Sequence, residues 1–320
     1  MPAFWEFLLA GGSGFMGTHV ARGLMARGHR VTVLARGHRD PVAGATMVTA
    51  DRRHPDGVAA ALRGRRFDLT VDFLAYDASD FEWLARVPSG SLGRCVMIST
   101  GQVYLVGEGA EPPFVEEDAR RPIRAEPATG DYDRGSWGYG VGKRRAEQAL
   151  RSLGESHGVR GVALRLPIVQ GEGDGSLRLW GYLERMLDGG PIVLPEGSHP
   201  TRHLYAGDLA PVLARLADGA PPGHFAYNLA QPDVVPVRTF LERVAEAAGV
   251  SARFVAAGWE HCRAAGLDEN FSPYGGAWSS VLDPARAVGS WVSPARRWTT
   301  TGNVKSSVSG QKGAMGSKGL

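Results

Sequence analysis

Apolar and polar positions follow two different patterns along the first half of the chain, one typical of strands and one typical of helices. Short apolar runs, rich in β-branched and aromatic residues, predict strands at about 4–10, 30–35, 45–50, 68–74, 94–99 and 161–166. The stretches between them have helical patterns and predict helices at about 15–27, 56–63, 78–86 and 137–154. Strands that alternate with helices are typical of a parallel sheet with helices on both faces. We therefore predict an α/β fold with a doubly wound parallel sheet.

The second half of the chain has a different character. Glycine, proline and charged residues dominate positions 171–205. Further elements are predicted as helices at about 177–188, 207–218 and 236–248 and as a strand at about 225–229. We predict that residues 171–298 mainly form a smaller C-terminal lobe, with some elements returning to the sheet. In such folds ligands collect beside the carboxyl ends of the strands, so this lobe is expected to bind the substrate.

The basic charge of the chain comes from its last residues. The formal net charge is +3 and the isoelectric point is near 9.0. Residues 1–300 carry 33 basic and 33 acidic side chains, and the last twenty residues add three lysines and no acid. Segment 299–320 is rich in Gly, Ser and Lys and is predicted to be a disordered basic tail. A neutral body without a basic stripe argues against nucleic-acid binding.

Cysteine and histidine usage argues against a disulfide framework or a metal site. Cys95 and Cys262 lie far apart in sequence, and the nine histidines show no paired metal spacing. The sequence has no apolar run of roughly eighteen residues, and Glu6 interrupts the apolar start, so we expect neither a membrane span nor a secretory signal. These features favour a cytoplasmic protein.

A glycine-rich turn follows the first predicted strand. In FLLAGGSGFMGTHVARG, three glycines lie between that strand and an amphipathic helix, and a second strand comes next. Glycines there permit a sharp turn and close approach of a pyrophosphate, and the helix N-terminus attracts the anion. The context therefore predicts a Rossmann-type dinucleotide-binding region over 1–170, the alternative being a turn with a structural role alone. The predicted contacts from this turn are Gly11, Gly14, Phe15, Met16 and Gly17.

The residues after the second strand bear on which dinucleotide is bound. An acidic residue there would hold the ribose 2′-hydroxyl of NAD, whereas an arginine accommodates the 2′-phosphate of NADP. Positions 35–39 hold no carboxylate but include Arg36 and Arg39. We therefore predict NADP as the preferred cofactor, with NAD as the alternative. The competing interpretation is that Arg36 only covers the edge of the sheet.

One lysine stands apart from the other basic residues. The sequence has 32 arginines and four lysines, and Lys143 is the only lysine outside the last twenty residues. Position 143 therefore favours a compact ammonium over a guanidinium. Tyr139 precedes it by four residues, so the two side chains share a face of the predicted helix.

This pair is suited to proton transfer. A neighbouring ammonium and an oxidised nicotinamide stabilise a phenolate and lower the pKa of the phenol, so Tyr139 would exchange a proton with a substrate hydroxyl or carbonyl. Gly138, Gly140 and Gly142 would give cofactor and substrate close access to that face. The alternative is a chance spacing of tyrosine and lysine on a surface helix.

A third group points to the same chemistry. The stretch RCVMISTGQVY brings a strand to Ser99 and Thr100, so a hydroxyl is expected at the carboxyl end of a strand. The glycine turn, this stretch and the pair Tyr139 and Lys143 together resemble the extended short-chain dehydrogenase/reductase family, in its NAD-dependent epimerase/dehydratase branch. The resemblance runs from about residue 7 to about residue 290.

The resemblance implies roles for individual residues. Thr100 would hydrogen-bond the substrate oxygen, Tyr139 would act as general acid and base, and Lys143 would bind the nicotinamide ribose and lower the tyrosine pKa. Relatives in this family often form homodimers, so a homodimer is a further expectation. Other positions that match cofactor contacts of the family are Asp51, Arg52, Phe73, Ala75 and Pro167.

The sequence also departs from the family pattern. Gly101 and Gln102 stand where sugar dehydratases have an acidic pair, which argues against dehydration. Ile168 stands where nucleotide-sugar epimerases have a phosphate-binding asparagine, although Arg202 matches the family's phosphate-binding arginine. The candidates for the substrate pocket are Gln102, Trp137, Trp180, Arg202 and His203. The aromatic residues and the histidine among them are equally explained as packing residues.

These features predict an NAD(P)-dependent enzyme. It would transfer a hydride at a carbinol or ketone carbon of a small metabolite or sugar, as a reductase or an epimerase. The alternative is a non-catalytic protein on the same scaffold that binds a dinucleotide or RNA.

Overall fold

The computed structural model describes residues 4–88, 90–128, 131–197, 200–219, 224–267, 271–275, 279 and 281–290. The predicted tail at 299–320 lies outside these residues and stays a prediction. Within the described residues the chain forms a central parallel sheet, helices on both of its faces, and a smaller lobe at one edge.

The described strands, in chain order, are β1 Glu6–Ala10, β2 Arg30–Ala35, β3 Thr46–Thr49, β4 Leu69–Asp72, β5 Arg94–Thr100, β6 Arg160–Leu166, β7 Ile168–Gln170, β8 Pro191–Pro195, β9 His203–Tyr205, β10 Ala226–Asn228 and β11 Arg253–Ala257. Seven of them form one parallel sheet in the order β10-β6-β5-β4-β1-β2-β3. The order reverses between β1 and β4, which is where such sheets bind ligands. The predicted doubly wound α/β fold is confirmed.

The described α-helices are α1 Phe15–Met25, α2 Pro55–Ala61, α3 Gln102–Leu105, α4 Asp131–His157, α5 Arg178–Leu187, α6 Leu209–Asp218, α7 Val237–Ala248, α8 Trp259–Ala264 and α9 Ala285–Ser290. Helix α4 begins six residues before the predicted start at 137. The sequence predicted a later start because glycine disfavours an α-helix, but tertiary packing overrides that preference.

One predicted helix has a different geometry. The segment Ala78–Arg86 is a 3₁₀ helix rather than an α-helix. Asp77 and Asp80 close its first turn, since the Asp77 side chain accepts from Ala78 N at 2.7 Å and that of Asp80 accepts from Asp77 N at 2.9 Å. Phe81 and Leu84 are both buried. A spacing of three residues keeps both on one side of a 3₁₀ helix.

The central strands are buried on both faces. Phe7, Leu8 and Leu9 of β1 are 0% exposed, and their successive side chains point to opposite faces of the sheet. Each face therefore has its own apolar core, one beneath α1 and α6 and the other beneath α2 and α4. Continuous apolar runs of this kind identify strands of a covered parallel sheet.

Short strands build the second half of the chain. Strands β8 and β11 pair in parallel, and β7 pairs with β9, and the sequence predicted none of these four strands. Helices α5 and α7 cover a separate apolar core that includes Leu183 and Phe240. Strand β10 and helix α6 return to the central sheet and its helices. This lobe therefore lies beside the carboxyl end of β6.

Candidate active site

The glycine-rich turn joins β1 to α1. Gly11 has φ +81°, a conformation that side-chain-bearing residues rarely adopt, and its N–H donates to Leu34 O at 2.9 Å. A Cβ on Gly17 would lie 2.5 Å from Gly12 Cα. The first turn of α1 therefore packs directly against the backbone that leaves β1, in the close packing that the sequence predicts.

A pocket of about 380 Å³ lies beside this turn, and we call it the arginine pocket. Arg36 and Arg39 are exposed on its wall. Neither guanidinium forms an ion pair with any residue that the structure describes. The other lining residues include Gly11, Ser13, Gly14, His38, Asp51, Arg52, Arg53, Leu74 and Tyr76. The pocket therefore combines a backbone turn that admits close approach with two cations available to a ligand.

Asp51 and Arg52 are both engaged by other groups of the protein, but by different partners. Arg53 pairs with Asp51, with Nη2 2.6 Å from Oδ2, and these hydrogen bonds hold the pKa of Asp51 well below its usual range. Arg52 contacts Asp72 at 3.2 Å and donates to Leu74 O. The guanidinium of Arg52 thus ties the segment after β3 to the end of β4.

A second pocket of about 310 Å³ adjoins the first, and we call it the tyrosine pocket. Tyr76 lines both pockets. The predicted residues on its wall are Phe15, Met16, Phe73, Thr100, Gln102, Tyr139, Lys143 and Pro167. Ala75 is fully buried and lies on the wall of neither pocket.

Thr100, Tyr139 and Lys143 meet in the tyrosine pocket. Thr100 is the last residue of β5, and its side chain lies with that of Tyr139 on the pocket wall. Its Oγ1 also accepts from Gln102 N at 3.2 Å. Tyr139 and Lys143 are one turn apart on α4, as their spacing predicts. The fold therefore gathers a hydroxyl, a phenol and an ammonium at the carboxyl end of one strand.

Lys143 is enclosed by the protein. It is 3% exposed, and its Nζ donates to Ile98 O at 2.9 Å. The Nζ atom lies 4.6 Å from the ring centroid of Tyr76 and 5.8 Å from that of Tyr139. Burial lowers the pKa of Lys143 to about 8, although the carboxylate of Asp72 opposes that shift. A flat guanidinium would not fit the same position, which accounts for a lysine in an arginine-rich chain.

The surroundings of Tyr139 affect its pKa. Partial burial raises its pKa, and the neighbouring Thr100 partly offsets that rise, although 40% of the side chain is exposed. The predicted lowering requires an oxidised nicotinamide as well as Lys143, so it stays a prediction. At neutral pH the phenol keeps its proton.

The glycines of α4 serve helix packing. A Cβ on Gly140 would lie 2.7 Å from Gln102 O, and one on Gly142 would lie 2.5 Å from Tyr76 O. A Cβ on Gly138 would meet nothing within 4 Å. Gly140 and Gly142 thus let α4 contact neighbouring backbone, which corrects the prediction that they give access to cofactor and substrate.

His203 lies in the core of the lobe. It is 2% exposed, its ring stacks on Phe240 with centroids 4.1 Å apart, and Thr201 Oγ1 lies 3.0 Å from its Nε2. Burial lowers the pKa of His203 to about 3, so the ring is neutral. The prediction that His203 lines the substrate pocket is corrected, because the ring is inaccessible from it.

Arg202 is also engaged by the protein. Its guanidinium donates to Gln231 O and Pro232 O, each at 2.8 Å, and to Leu282 O. Three carbonyls thus satisfy a side chain that the sequence assigned to a substrate phosphate. The arginine instead joins the segment before β9 to two later segments of the chain.

The two predicted tryptophans lie outside the tyrosine pocket. Trp137 is half-buried, and its Nε1 donates to Arg124 O at 3.0 Å. Trp180 packs against the core beneath α5 and α7. Amphipathic periodicity does not distinguish an aromatic residue of a pocket from one of a core.

The tyrosine pocket has further lining residues that the sequence did not assign to the site, and among them are Tyr76, Asp174 and Arg178. Tyr76 follows the end of β4, which was a usable signal. Asp174 and Arg178 reach the pocket from the turn that starts α5, and nothing in the local pattern of that turn indicates it. Among the described residues no group of three His, Cys, Asp or Glu side chains is placed to hold a metal ion. Within the same residues, no helix combines the length and apolar character that crossing a bilayer requires.

Comparison with known proteins gives consistent similarities. The model of the NAD dependent epimerase/dehydratase family matches residues 7–90 and 81–230. The chain is 28% identical over 249 residues to 2'-dehydrokanamycin reductase of Streptomyces kanamyceticus, which covers 76% of this chain and 66% of that protein. It is 27% identical over 276 residues to 2-alkyl-3-oxoalkanoate reductase of Stenotrophomonas maltophilia, covering 76% of each chain.

A solved structure shares the fold. The UDP-glucose 4-epimerase of Thermus thermophilus, in complex with NAD, superposes with a TM-score of 0.69 at 24% identity. The superposition covers 97% of this chain and 99% of that one.

Proposed function

The chain belongs to the NAD dependent epimerase/dehydratase family, and on that premise we propose that it is an NADPH-linked reductase of a ketone in a small metabolite. The observation that carries the proposal is that the Thr100 hydroxyl, the Tyr139 phenol and the enclosed ammonium of Lys143 share the wall of one pocket. Reduction of a ketone needs a proton donor at the carbonyl oxygen, and this phenol is in the donating form.

The residues present fit a nicotinamide dinucleotide. A side chain at Gly11 or Gly17 would fill the turn that a pyrophosphate approaches. Arg36 and Arg39 offer cations in the arginine pocket, and Asp51 lines the same pocket while paired with Arg53. We assign dinucleotide binding to region 1–170 and substrate binding mainly to 171–298.

Each residue of the tyrosine pocket has a distinct task in this proposal. A bound NADPH would supply the hydride that the carbonyl carbon accepts and would be oxidised to NADP⁺. Tyr139 donates its proton to the carbonyl oxygen, so the carbonyl group becomes a carbinol. The resulting phenolate then regains a proton from solvent. Thr100 hydrogen-bonds the same oxygen, and Lys143 holds the nicotinamide ribose. Phe15, Met16 and Phe73 exclude water from the site.

Two departures favour a reductase over a nucleotide-sugar epimerase. Arg202 already donates to three carbonyls, so it is not presented to a diphosphate. Ile168 is an apolar residue on the wall of the tyrosine pocket, where it offers a diphosphate no hydrogen bond. The two similar reductases named above are consistent with this choice.

The reductase proposal is tested by cofactor stoichiometry. Purified protein is incubated with NADPH and a panel of ketones, and absorbance of the reduced nicotinamide is followed. We expect one NADPH to be consumed for each ketone reduced. Interconversion of sugar epimers without net cofactor consumption would identify an epimerase. Salt-sensitive RNA retention without turnover would instead support the binding-protein alternative.

We predict a preference for NADP that depends on Arg36 and Arg39. The double substitution Arg36→Ser, Arg39→Ser is expected to weaken NADP binding at least tenfold, because hydrogen bonds to charged groups contribute about 1.5–3 kcal/mol each. NAD binding should change little. Calorimetry with both cofactors measures the two affinities. Arg53→Ser is the matched control, since that arginine pairs with Asp51 in the same pocket; equal losses for NAD and NADP would contradict the prediction.

Cofactor binding is also expected to depend on pH. The pKa of Lys143 is lowered to about 8, so its ammonium is lost as pH rises through that value. The Kd for NADP should therefore rise severalfold between about pH 7 and pH 10. The fragment 2′,5′-ADP lacks the nicotinamide ribose and serves as the control. Parallel pH dependence for the fragment and the whole cofactor would remove Lys143 from the explanation.

A further inference from the structure

Arg178 lies where two cavities meet. It is the first residue of α5, and its side chain lines the tyrosine pocket together with Thr100, Gln102 and Tyr139. The same side chain lines a neighbouring cavity whose wall includes Leu177, Tyr182, Phe271 and Pro273. A cation therefore stands between the reacting groups and a second cavity, whose wall combines polar and apolar residues. The dipole of α5 adds to the positive potential at its N-terminus.

One edge of the Arg178 guanidinium is held by its neighbours. Its Nε donates to Ser176 Oγ at 3.0 Å, and that hydroxyl donates to Asp174 Oδ2 at 2.8 Å. The nearest carboxylate contact of its terminal nitrogens is Nη2 to Asp174 Oδ2 at 3.9 Å, too long for a hydrogen bond. Within the described part of the chain the two terminal nitrogens have no hydrogen-bond acceptor. The arginine is oriented by one edge and keeps the other for a ligand.

The backbone before Arg178 is strained. Leu177 has φ 55° and ψ 16°, in the left-handed region that residues other than glycine rarely adopt. Its side chain is 43% exposed, so burial of that side chain does not explain the conformation. Such strain persists where the surroundings require a particular geometry, and it often accompanies functional sites. Here it sets the direction in which Ser176 and Arg178 leave the chain.

The other charged groups of the tyrosine pocket leave room for an anion. They are Lys143, which is assigned above to the nicotinamide ribose and donates one hydrogen bond to Ile98 O, and Asp174, which is 6% exposed and bonded to Ser176. The charge of Arg178 also reaches Tyr139, because it lowers the pKa of that phenol. An anionic group near Arg178 would thus sit close to the proton donor.

We propose that Arg178 binds the carboxylate of the substrate, so that the enzyme reduces an oxo acid. This inference rests on the proposed reductase function. Arg178 determines specificity in it, since a planar guanidinium pairs with a carboxylate through two parallel hydrogen bonds. Tyr139 then meets a carbonyl near that carboxylate.

The test compares an acid with its neutral ester. NADPH oxidation is measured with 3-oxooctanoate and with its methyl ester, for the wild type, Arg178→Met and Arg178→Lys. We expect Arg178→Met to lower kcat/KM at least tenfold for the acid and less than twofold for the ester. Arg178→Lys should recover part of the loss, because lysine keeps the positive charge but cannot form two parallel hydrogen bonds with a carboxylate. Arg185→Met, on the same helix and paired with Asp188 at its surface, should change neither substrate.

Binding separates this inference from the proposed function. Octanoate has no carbonyl to reduce, so its affinity for the protein loaded with NADPH reports anion binding alone. Tighter binding of octanoate to the wild type than to Arg178→Met supports the inference even if no ketone is reduced. Equal binding by the two proteins, or equal loss of activity toward acid and ester, overturns it.

Discussion

Replacing Tyr139 with phenylalanine is expected to lower kcat for ketone reduction at least a hundredfold, while the Kd for NADPH changes less than twofold. A positioned acid or base contributes about 10²–10⁴ in rate, and the substitution removes only the phenolic hydroxyl that shares the pocket with Thr100. The ring that lies near Lys143 stays in place. Stopped-flow measurement of hydride transfer in a single turnover isolates the chemical step from product release.

Tyr76→Phe is the matched control for this prediction. Tyr76 lies in the same pocket, its ring centroid is 6.1 Å from that of Tyr139, and it is 50% exposed. Loss of its hydroxyl should change kcat by less than about threefold. If both variants lost activity equally, or if Tyr139→Phe kept more than a tenth of the wild-type rate, Tyr139 would not be the proton donor.

Replacing Gly142 with alanine is expected to destabilise the protein by about 1–3 kcal/mol, the usual cost of an extra group in a packed site. The new Cβ would lie 2.5 Å from Tyr76 O, and backbone cannot rotate away as a side chain does. Gly138→Ala should instead stabilise it by up to about 1 kcal/mol, because alanine favours the helix and its Cβ would meet nothing within 4 Å.

Chemical denaturation measures both free energies of unfolding. The two variants are a matched pair, since each adds one methyl group to the same helix one turn apart. A free energy of unfolding that falls equally in both would show that close contact with the Tyr76 carbonyl does not explain the glycine at position 142. The Gly142 variant should also lose activity, because its neighbour Lys143 must move with the helix.

The central sheet could be predicted because its strands have a recognisable pattern in the local sequence. Strands β1, β2, β4, β5 and β6 are continuous apolar runs, since both of their faces are covered. Strands β7 and β9 have only three residues each, and Ile168 of the first pairs with His203 of the second, far along the chain. A run of three residues beside Pro167 carries no periodicity. Long-range pairing determines such strands, and it leaves no local pattern.

The candidate site was predictable where spacing fixes geometry. Residues four apart on a helix share a face, and strands that run in parallel end at one edge, so Thr100, Tyr139 and Lys143 could be grouped in advance. The pKa values of the site residues were harder to predict from the sequence. Whether Lys143 lowers the pKa of Tyr139 depends on where the ammonium points and on desolvation, which only the fold determines. Arg178 and Arg202 show the same limit, because the partners of an arginine lie elsewhere in the sequence.

The segment that ends β4 forms a shared wall between the two pockets. On one side Arg52 pairs with Asp72 and donates to the Leu74 carbonyl. On the other side the Tyr76 carbonyl contacts Gly142, and the Tyr76 ring lies over the Lys143 amine. Because close contacts hold this segment from both sides, we expect a ligand bound in the arginine pocket to shift the position of the Lys143 amine in the tyrosine pocket.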